Sequence, residues 1–345
     1  MRALAVARAL QDGRQTAVQC LLLMPARLRP WVQQTGIPSA SPPPQAHSDS
    51  DVLGEWVRAR LEGFHADVLV VDVFPRGVLG ELADCLETLA RRRLLVTRWV
   101  NPRYYLRPDI ASFILATYQG IAWSEPPHPD LEQAFHQHPG SRRVAPIVFV
   151  RPVDVQSGTA CRQLFGIHEL EPAVVALGSG DARSDGALFD RLLGLSQGGG
   201  RFRLLFFSDQ IEARESRQVR VASVFPAGGW LKAGRVVVGG AGYQSYYEMV
   251  QSGLPAIFCP HDRLLDDQLR RARGEMGTPR PSHVRVALNP EQLESALGEW
   301  LELSDTEIQQ GRGDLAADLR PRESSPDHLA GAMEVARTVL ELAQS

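Results

Sequence analysis

The chain has 345 residues, of which 44% are hydrophobic and 22% charged, so it can form two globular domains of ordinary size. Its 37 basic and 40 acidic side chains leave a formal net charge of -3, which offers no general attraction for nucleic acid. No apolar run approaches the roughly 18 residues of a membrane helix, and the four scattered cysteines indicate neither a zinc site nor a disulfide framework.

The first half of the chain alternates predicted helices and strands. Leu4, Ala7 and Leu10 have helical spacing, which predicts an N-terminal helix that ends at Asp12-Gly13. Apolar runs of strand length and stretches of helical period then follow one another. The predicted strands are 16–23, 66–74, 94–100 and 122–124, and the predicted helices are 53–63 and 77–92. Residues 36–51, with three consecutive prolines, are predicted to form a loop.

A second alternating series begins near Pro146, and Pro146 and Pro152 bracket a predicted hinge. Its predicted strands are 147–150, 174–177, 203–207, 220–224, 236–238, 256–259 and 284–287, and 290–303 is a predicted helix. Runs that are apolar on both faces, such as 68–71, are typical of parallel strands covered by helices on both sides. The stretch 311–323 is predicted to cross the surface irregularly, and Ser324-Ser325-Pro326 to open a final helix.

These patterns predict an α/β protein with two Rossmann-like domains. The boundaries are 1–145 for an N-terminal, acceptor-side domain, 146–323 for a C-terminal, donor-binding domain, and 324–345 for a helix that packs back across the domain junction. Two such domains in succession are expected to face each other across a cleft at the carboxyl ends of both sheets.

The segment 236–248 carries the clearest chemical signal. An apolar strand runs into the small residues 239–242 and then into a helix that begins near Tyr243 and Gln244. Glycines let a backbone approach a ligand closely, and the N–H groups at a helix start favour an anion such as a pyrophosphate. A tight packing turn can have the same composition, so the turn alone leaves both interpretations open.

Residues further along strengthen the first interpretation. Glu248 lies about a turn and a half into the predicted helix, where its carboxylate can accept hydrogen bonds from the two vicinal hydroxyls of a ribose. A solvated glutamate is the alternative. Gly253-Leu254-Pro255 ends this helix, and His261 follows Pro260 as a candidate ligand contact. Asp267 precedes Gln268 at a further helix start, where an aspartate can instead act as a helix cap.

Together, Gly239-Gly240-Ala241-Gly242, Glu248, Gly253-Leu254-Pro255, Pro260 and Asp267-Gln268 resemble the C-terminal signature of the MurG-like glycosyltransferases, which have the GT-B fold. The resemblance implies that Glu248 binds the nucleotide ribose, that Gln268 contacts the donor sugar or phosphate, and that the glycine loop faces the diphosphate. It also implies that the loop at 178–180 serves the phosphates and that the loop around Phe225 holds the nucleobase edge. The predicted donor contacts are Gly178, Ser179, Gly180, Phe225, Gly240, Ala241, Gly242, Tyr243, Gln244, Glu248, His261, Asp267 and Gln268.

The N-terminal half departs from this resemblance. Members of the family normally begin with a strand and a Gly-rich loop, whereas the first ten residues here look like the helix that follows that loop. We therefore expect the first strand and its loop to be missing, either because the recorded start is late or because the protein has lost them. Asp72 is the remaining candidate base if burial raises its pKa, with Phe74 and Arg76 on the acceptor side. An Asp72–Arg76 pair that stabilises a proline turn is the alternative.

The resemblance implies an inverting glycosyltransferase, a hexosyltransferase, that moves a sugar from a UDP-sugar-type donor to a hydroxyl of an unidentified acceptor. We expect it to need no metal, since no Asp-x-Asp motif lies in a suitable loop, and no cofactor apart from the nucleotide-sugar substrate. The expected location is the cytoplasm, with no nucleic-acid partner and no transmembrane segment, and peripheral membrane contact stays open. Two alternatives also stay open: a non-catalytic or truncated nucleotide-sugar-binding protein, and a nucleotide-sugar hydrolase or epimerase on the same fold.

Overall fold

The computed structural model describes residues 1–13, 18–199, 202–276, 282–302 and 330–345. The chain forms two compact units, Met1–Phe149 with Asp327–Ser345, and Val150–Pro326. Each contains a parallel sheet with helices in its connections, so the predicted α/β class is confirmed. The surface crossing predicted at 311–323 and the helix start predicted at 324–326 lie outside the described residues. No helix in the described ranges is long and apolar enough to cross a membrane.

The first unit has six short strands in its described part. They are β1 (Leu22–Leu23), β2 (Ser39–Ala40), β3 (Val68–Asp72), β4 (Arg92–Thr97), β5 (Gly120–Trp123) and β6 (Ser141–Arg143). Strands β3, β4, β5 and β6 form a parallel sheet in that order, and β1 pairs separately with β2. The central strands β4 and β5 are the most buried, as expected for strands that helices cover on both faces.

Seven helices of the first unit precede residue 149 in the described part. They are α1 (Arg2–Asp12), α2 (Arg29–Gln33), α3 (Ser50–Phe64), α4 (Leu86–Leu89), α5 (Pro102–Tyr105), α6 (Pro108–Thr117) and α7 (Pro129–Phe135). Short 3-10 helices occur at Ala26–Leu28 and Pro44–His47. Asp49 explains where α3 begins, because its carboxylate accepts the N–H groups of Asp51 and Val52, both at 3.0 Å.

Three expectations for this unit were wrong in part. The helix predicted at 77–92 is mostly a series of turns that ends in α4, because Gly77 and Gly80 adopt positive φ angles of 85° and 91°. Glu81 also binds the N–H groups of Val78 and Leu79, at 3.2 and 2.8 Å, and these bonds compete with a helix. The strand predicted at 16–23 is reduced to β1 in its described part, and the predicted loop 36–51 contains β2 and a 3-10 helix.

The second unit has nine strands in its described part. They are β7 (Ala173–Leu177), β8 (Arg203–Phe207), β9 (Arg214–Glu215), β10 (Val219–Ala222), β11 (Val236–Gly239), β12 (Ala256–Phe258), β13 (Asp262–Arg263), β14 (Asp266–Asp267) and β15 (Val284–Val286). Seven of them form one sheet in the order β15-β12-β11-β7-β8-β10-β9, parallel except for β9. Strands β13 and β14 form a separate antiparallel hairpin.

The helices of the second unit in its described part are α8 (Gly158–Leu164), α9 (Ala182–Gly199), α10 (Tyr243–Ser252), α11 (Gln268–Ala272) and α12 (Pro290–Glu302), with 3-10 helices at Pro152–Asp154 and Ala227–Ala233. The strands predicted from residue 174 onward are all present, with bounds that differ by at most two residues. The strand predicted at 147–150 is not formed. These four apolar residues are buried, but their backbone does not have strand structure.

The last described helix, α13 (Gly331–Gln344), belongs to the first unit. It packs against α1 and against β3 and β4. Glu334 fixes its start, because its carboxylate accepts the N–H of Ala145 at 3.1 Å. Gly331 is required at this contact, since a Cβ atom there would overlap the carbonyl group of Ala145.

Candidate functional site

The candidate site lies at the topological switch point of the second unit. Read from β10, the six parallel strands follow the order β10-β8-β7-β11-β12-β15, so the strand sequence reverses between β7 and β11. Open parallel sheets bind ligands outside the carboxyl ends of the strands at such a point. Gly178-Ser179-Gly180 follows β7, and Gly240-Ala241-Gly242 follows β11. The fold therefore brings these two predicted segments to neighbouring positions.

Small residues connect β11 directly to α10. Gly242 is the last residue before the helix, and no side chain of the described residues caps this end. A helix start whose N–H groups have no side-chain cap favours an anion. The Tyr243 ring packs edge-on against Tyr247, with centroids 5.0 Å apart, and is buried. The backbone N–H of Tyr243 lies in the first turn of α10.

Gly240 lies against His261 and Gln268. A Cβ atom at Gly240 would be 3.0 Å from His261 Cδ2 and 3.4 Å from Gln268 Oε1, so a larger residue would press on both side chains. The backbone N–H of His261 donates to Gln268 Oε1 at 3.1 Å, and this bond fixes the buried side-chain amide of Gln268. Burial, and secondly the charge of Arg263, lower the pKa of His261, which favours the neutral form of its ring. The glycine loop, His261 and Gln268 thus form one continuous surface.

Glu248 is a buried carboxylate on the first turns of α10, with 8% of its surface exposed. Gln244 Nε2 donates to Glu248 Oε1 at 2.7 Å, and the N–H of Gly228 also donates to this carboxylate. Burial raises the pKa of Glu248 to about 7, against the opposing effect of these donors. Gly228 lies in the 3-10 helix that directly follows the loop with the half-buried Phe225. Through its contact with Gly228, Glu248 therefore connects α10 to the loop that was predicted to hold the nucleobase.

One acceptor beside Glu248 is unsatisfied. The side-chain oxygen of Gln244 is buried and accepts no hydrogen bond within the described residues. A buried acceptor without a donor is costly, so such an atom is either strained or reserved for a ligand. A hydroxyl group bound beside Glu248 could donate to this oxygen.

Asp185 organises the loop after β7, and sequence reasoning missed it. Its carboxylate is buried in the first turns of α9 and accepts three hydrogen bonds: from Ser179 N at 2.5 Å, Ser179 Oγ at 2.8 Å and Ser208 Oγ at 2.6 Å. A Cβ atom at Gly178 would overlap this carboxylate. Because the Ser179 hydroxyl donates to Asp185, its proton is directed away from any ligand in the switch-point crevice.

Arg271 is the second residue that the sequence did not single out. It is 1% exposed and forms a bidentate ion pair with Asp266, at 2.7 and 3.2 Å. Its guanidinium also donates to the carbonyl of Ala241 at 2.8 Å, so it fastens the hairpin β13–β14 to the glycine loop. Asp267 has the capping role that was the alternative for it, since its carboxylate accepts the Arg270 N–H at 2.9 Å.

The N-terminal candidates have partners of their own within the first unit. Asp72 pairs with Arg2 at 2.8 Å, and Arg76 pairs with Asp109 at 3.0 Å. The Asp72–Arg76 pair considered from the sequence is therefore not formed. Phe74 packs edge-on against Tyr104, with centroids 6.2 Å apart. The described residues contain no group of three or more His, Cys, Asp or Glu side chains placed to hold a metal ion.

No protein-family model matches the chain, and neither does any curated protein. Solved structures do resemble it. The glycotransferase of kitacinnamycin is 16% identical with a TM-score of 0.62, over 99% of this chain and 95% of that one. The glycosyltransferase SnogD from Streptomyces nogalater is 14% identical with a TM-score of 0.59, over 98% and 95% of the two chains.

The spinosyn rhamnosyltransferase SpnG, solved in complex with thymidine diphosphate, is also similar, with 16% identity and a TM-score of 0.57 over 97% of this chain and 96% of that chain. At these identities the likeness shows the fold. This chain has the α/β GT-B fold over nearly its whole length.

Proposed function

We propose that this protein is an inverting glycosyltransferase that takes a sugar from a UDP-sugar-type donor and transfers it to an acceptor hydroxyl. One observation carries the proposal: the uncapped start of α10 lies at the switch point, with the buried Gln268 beside Gly240 and the buried Glu248 further along the same helix. An anion site, a carboxylate suited to two hydroxyls and an amide lie within one helix length. A nucleoside diphosphate sugar needs these three kinds of contact.

Each part of the donor has a counterpart among these residues. The diphosphate fits the N–H groups of residues 240–244, where helix dipole and small residues favour negative charge. The ribose hydroxyls fit Glu248 and the unsatisfied oxygen of Gln244. The sugar fits the surface of His261 and Gln268, and the nucleobase fits the loop that contains Phe225. Ser179, Gly180 and Ala241 line the phosphate end, and Asp267 caps α11 beside the sugar contact Gln268.

The chemistry follows from this arrangement. The bond between the anomeric carbon and the diphosphate breaks as the acceptor oxygen attacks from the opposite face, which inverts that carbon. Negative charge develops on the departing diphosphate, where preorganised N–H groups and the start of α10 stabilise it without a metal. Asp72, with Phe74 and Arg76 beside it, remains the candidate base for the acceptor, and it must first exchange its ion pair with Arg2.

A second candidate function is nucleotide-sugar binding without catalysis. The Asp72–Arg2 ion pair favours it, because a guanidinium at 2.8 Å already occupies the carboxylate of the candidate base. The two functions share the donor site and differ only in turnover.

Calorimetric titration with UDP and TDP tests the shared site. We expect Glu248→Ala to weaken binding by about 1–3 kcal/mol, the cost of a lost charge-assisted hydrogen bond. Glu294→Ala, an exposed glutamate on α12 of the same unit, is the matched control and is expected to change nothing. Equal affinities for wild type and Glu248→Ala would remove Glu248 from the site. Release of UDP from UDP-N-acetylglucosamine without any acceptor would indicate a hydrolase instead of a transferase.

A further inference from the structure

An ion pair crosses over the candidate diphosphate site. Arg263 lies on β13, in the connection that follows β12, and Asp181 lies in the loop that follows β7. Their closest side-chain atoms are 3.3 Å apart. Because β11 lies between β12 and β7 in the sheet, this contact passes over the carboxyl end of β11, where the glycine loop enters α10.

His261 supports this placement. Its ring lies against Gly240, and its pKa is influenced by Arg263, Asp185 and Asp181 together. The ring therefore lies among these charges and beside the glycine loop. Arg263 is consequently close to the start of α10. The sequence alone gives no indication of this proximity, because Arg263 lies on a hairpin outside the glycine loop.

Arg263 differs from Arg271 in its freedom to change partners. Arg271 is 1% exposed and held by Asp266. The Arg263 side chain is 36% exposed and that of Asp181 is 38% exposed. Ion pairs exposed to this extent contribute little stability, so the guanidinium can exchange its partner at small cost.

Asp181 has a partner that it keeps after such an exchange. Ser184 Oγ donates to Asp181 Oδ2 at 2.5 Å, and chiefly this bond, then the charge of Arg263, lower the pKa of Asp181. The aspartate therefore stays ionised when Arg263 leaves it. A negative charge at this point competes with a phosphate for the same guanidinium.

We infer that Arg263 binds the diphosphate of the donor, and that Asp181 holds this arginine in the unliganded protein and competes with the diphosphate for it. The inference rests on the proposed function, and it assigns a specificity residue to the same site. A guanidinium can bind two phosphate oxygens in a bidentate manner, whereas Arg263 contacts Asp181 through one nitrogen and one oxygen at 3.3 Å. Arg263 would thus favour nucleoside diphosphates over nucleosides.

The test is calorimetric titration of the full chain with UDP, uridine and inorganic pyrophosphate at fixed salt. Arg263→Ala should weaken UDP and pyrophosphate binding about tenfold or more, since a charge-assisted contact is lost, and leave uridine binding unchanged. Asp181→Asn should strengthen binding of the two phosphate ligands about two- to fivefold, since an exposed competitor is removed. Arg285→Ala is the matched control, because Arg285 forms a similarly exposed ion pair with Glu299 in the same unit.

The opposite signs of the two variants decide the question. If the pair were merely structural, both variants would weaken binding or neither would change it, and either result overturns the inference. Equal losses for UDP and uridine in Arg263→Ala overturn it as well. Wild type that binds pyrophosphate through Arg263 but not UDP contradicts the proposed function and leaves standing only the assignment of Arg263 to a diphosphate. Wild type that binds none of the three ligands contradicts both, and thermal denaturation of each variant verifies that it is folded.

Discussion

The buried pair between Arg271 and Asp266 allows a quantitative prediction. Replacing Arg271 by Met keeps most of the apolar side-chain volume but removes the charge and the donors. Asp266, whose side chain is 8% exposed, would then lose its bidentate partner, and the carbonyl of Ala241 would lose the donor at 2.8 Å. We expect the variant to be less stable by about 3–5 kcal/mol, the cost of leaving a buried charge without its partner.

A double variant separates charge from packing. Arg271→Met combined with Asp266→Leu removes both charges, so most of the lost stability should return, since apolar side chains of similar volume can replace a buried pair at little cost. Arg285→Met is the control for removing an arginine, because its ion pair with Glu299 is exposed. That control should cost less than about 1 kcal/mol.

Urea denaturation of the full chain, followed by circular dichroism and tryptophan fluorescence, measures these differences. A parallel titration with UDP reports on function, since Arg271 anchors the glycine loop through Ala241. The reasoning is refuted if Arg271→Met costs no more than the Arg285 control. It is also refuted if the double variant is no more stable than Arg271→Met alone, because the uncompensated carboxylate would then not be the cause.

Two further predictions concern Glu248. Gly228→Ala should weaken UDP binding about tenfold, because a Cβ atom at this position would be 2.8 Å from the Glu248 carboxyl carbon and must displace it. Gly298→Ala is the control and should leave binding unchanged, since a Cβ atom there meets nothing within 4 Å. Equal UDP affinities for the two variants would contradict this prediction. The second is a pH dependence: the folded-state pKa of Glu248 is raised to about 7 from an ordinary 4.5, so its stabilising contribution is complete below pH 4.5 and is lost as the pH rises through 7. Between these pH values, the unfolding free energy of the wild type should therefore fall by roughly 3 kcal/mol relative to that of Glu248→Gln. Urea denaturation at each pH measures both free energies. If the two proteins show parallel changes of unfolding free energy with pH, the pKa of Glu248 is not raised.

Sequence patterns with a local cause were predictable. Apolar runs bounded by glycine and proline placed most strands of the second unit within two residues, because strand formation in a buried parallel sheet depends on continuous apolar character. The strand–glycine–helix order around Gly240 was predictable for the same reason. The helix predicted at 77–92 failed where a local competitor, the Glu81 side chain, binds backbone N–H groups and forms a turn.

The sequence by itself determined the α/β class and the segments that meet at the candidate site. Only the tertiary structure decided which side chains serve each segment. Arg271 reaches Ala241 across 30 residues of sequence, and Arg263 reaches Asp181 across 82. Such pairs depend on strand order, which sets the neighbours at the carboxyl edge of a sheet and which no local spacing encodes. The same order places Asp185 against the loop that follows β7 and Asp181 within reach of Arg263.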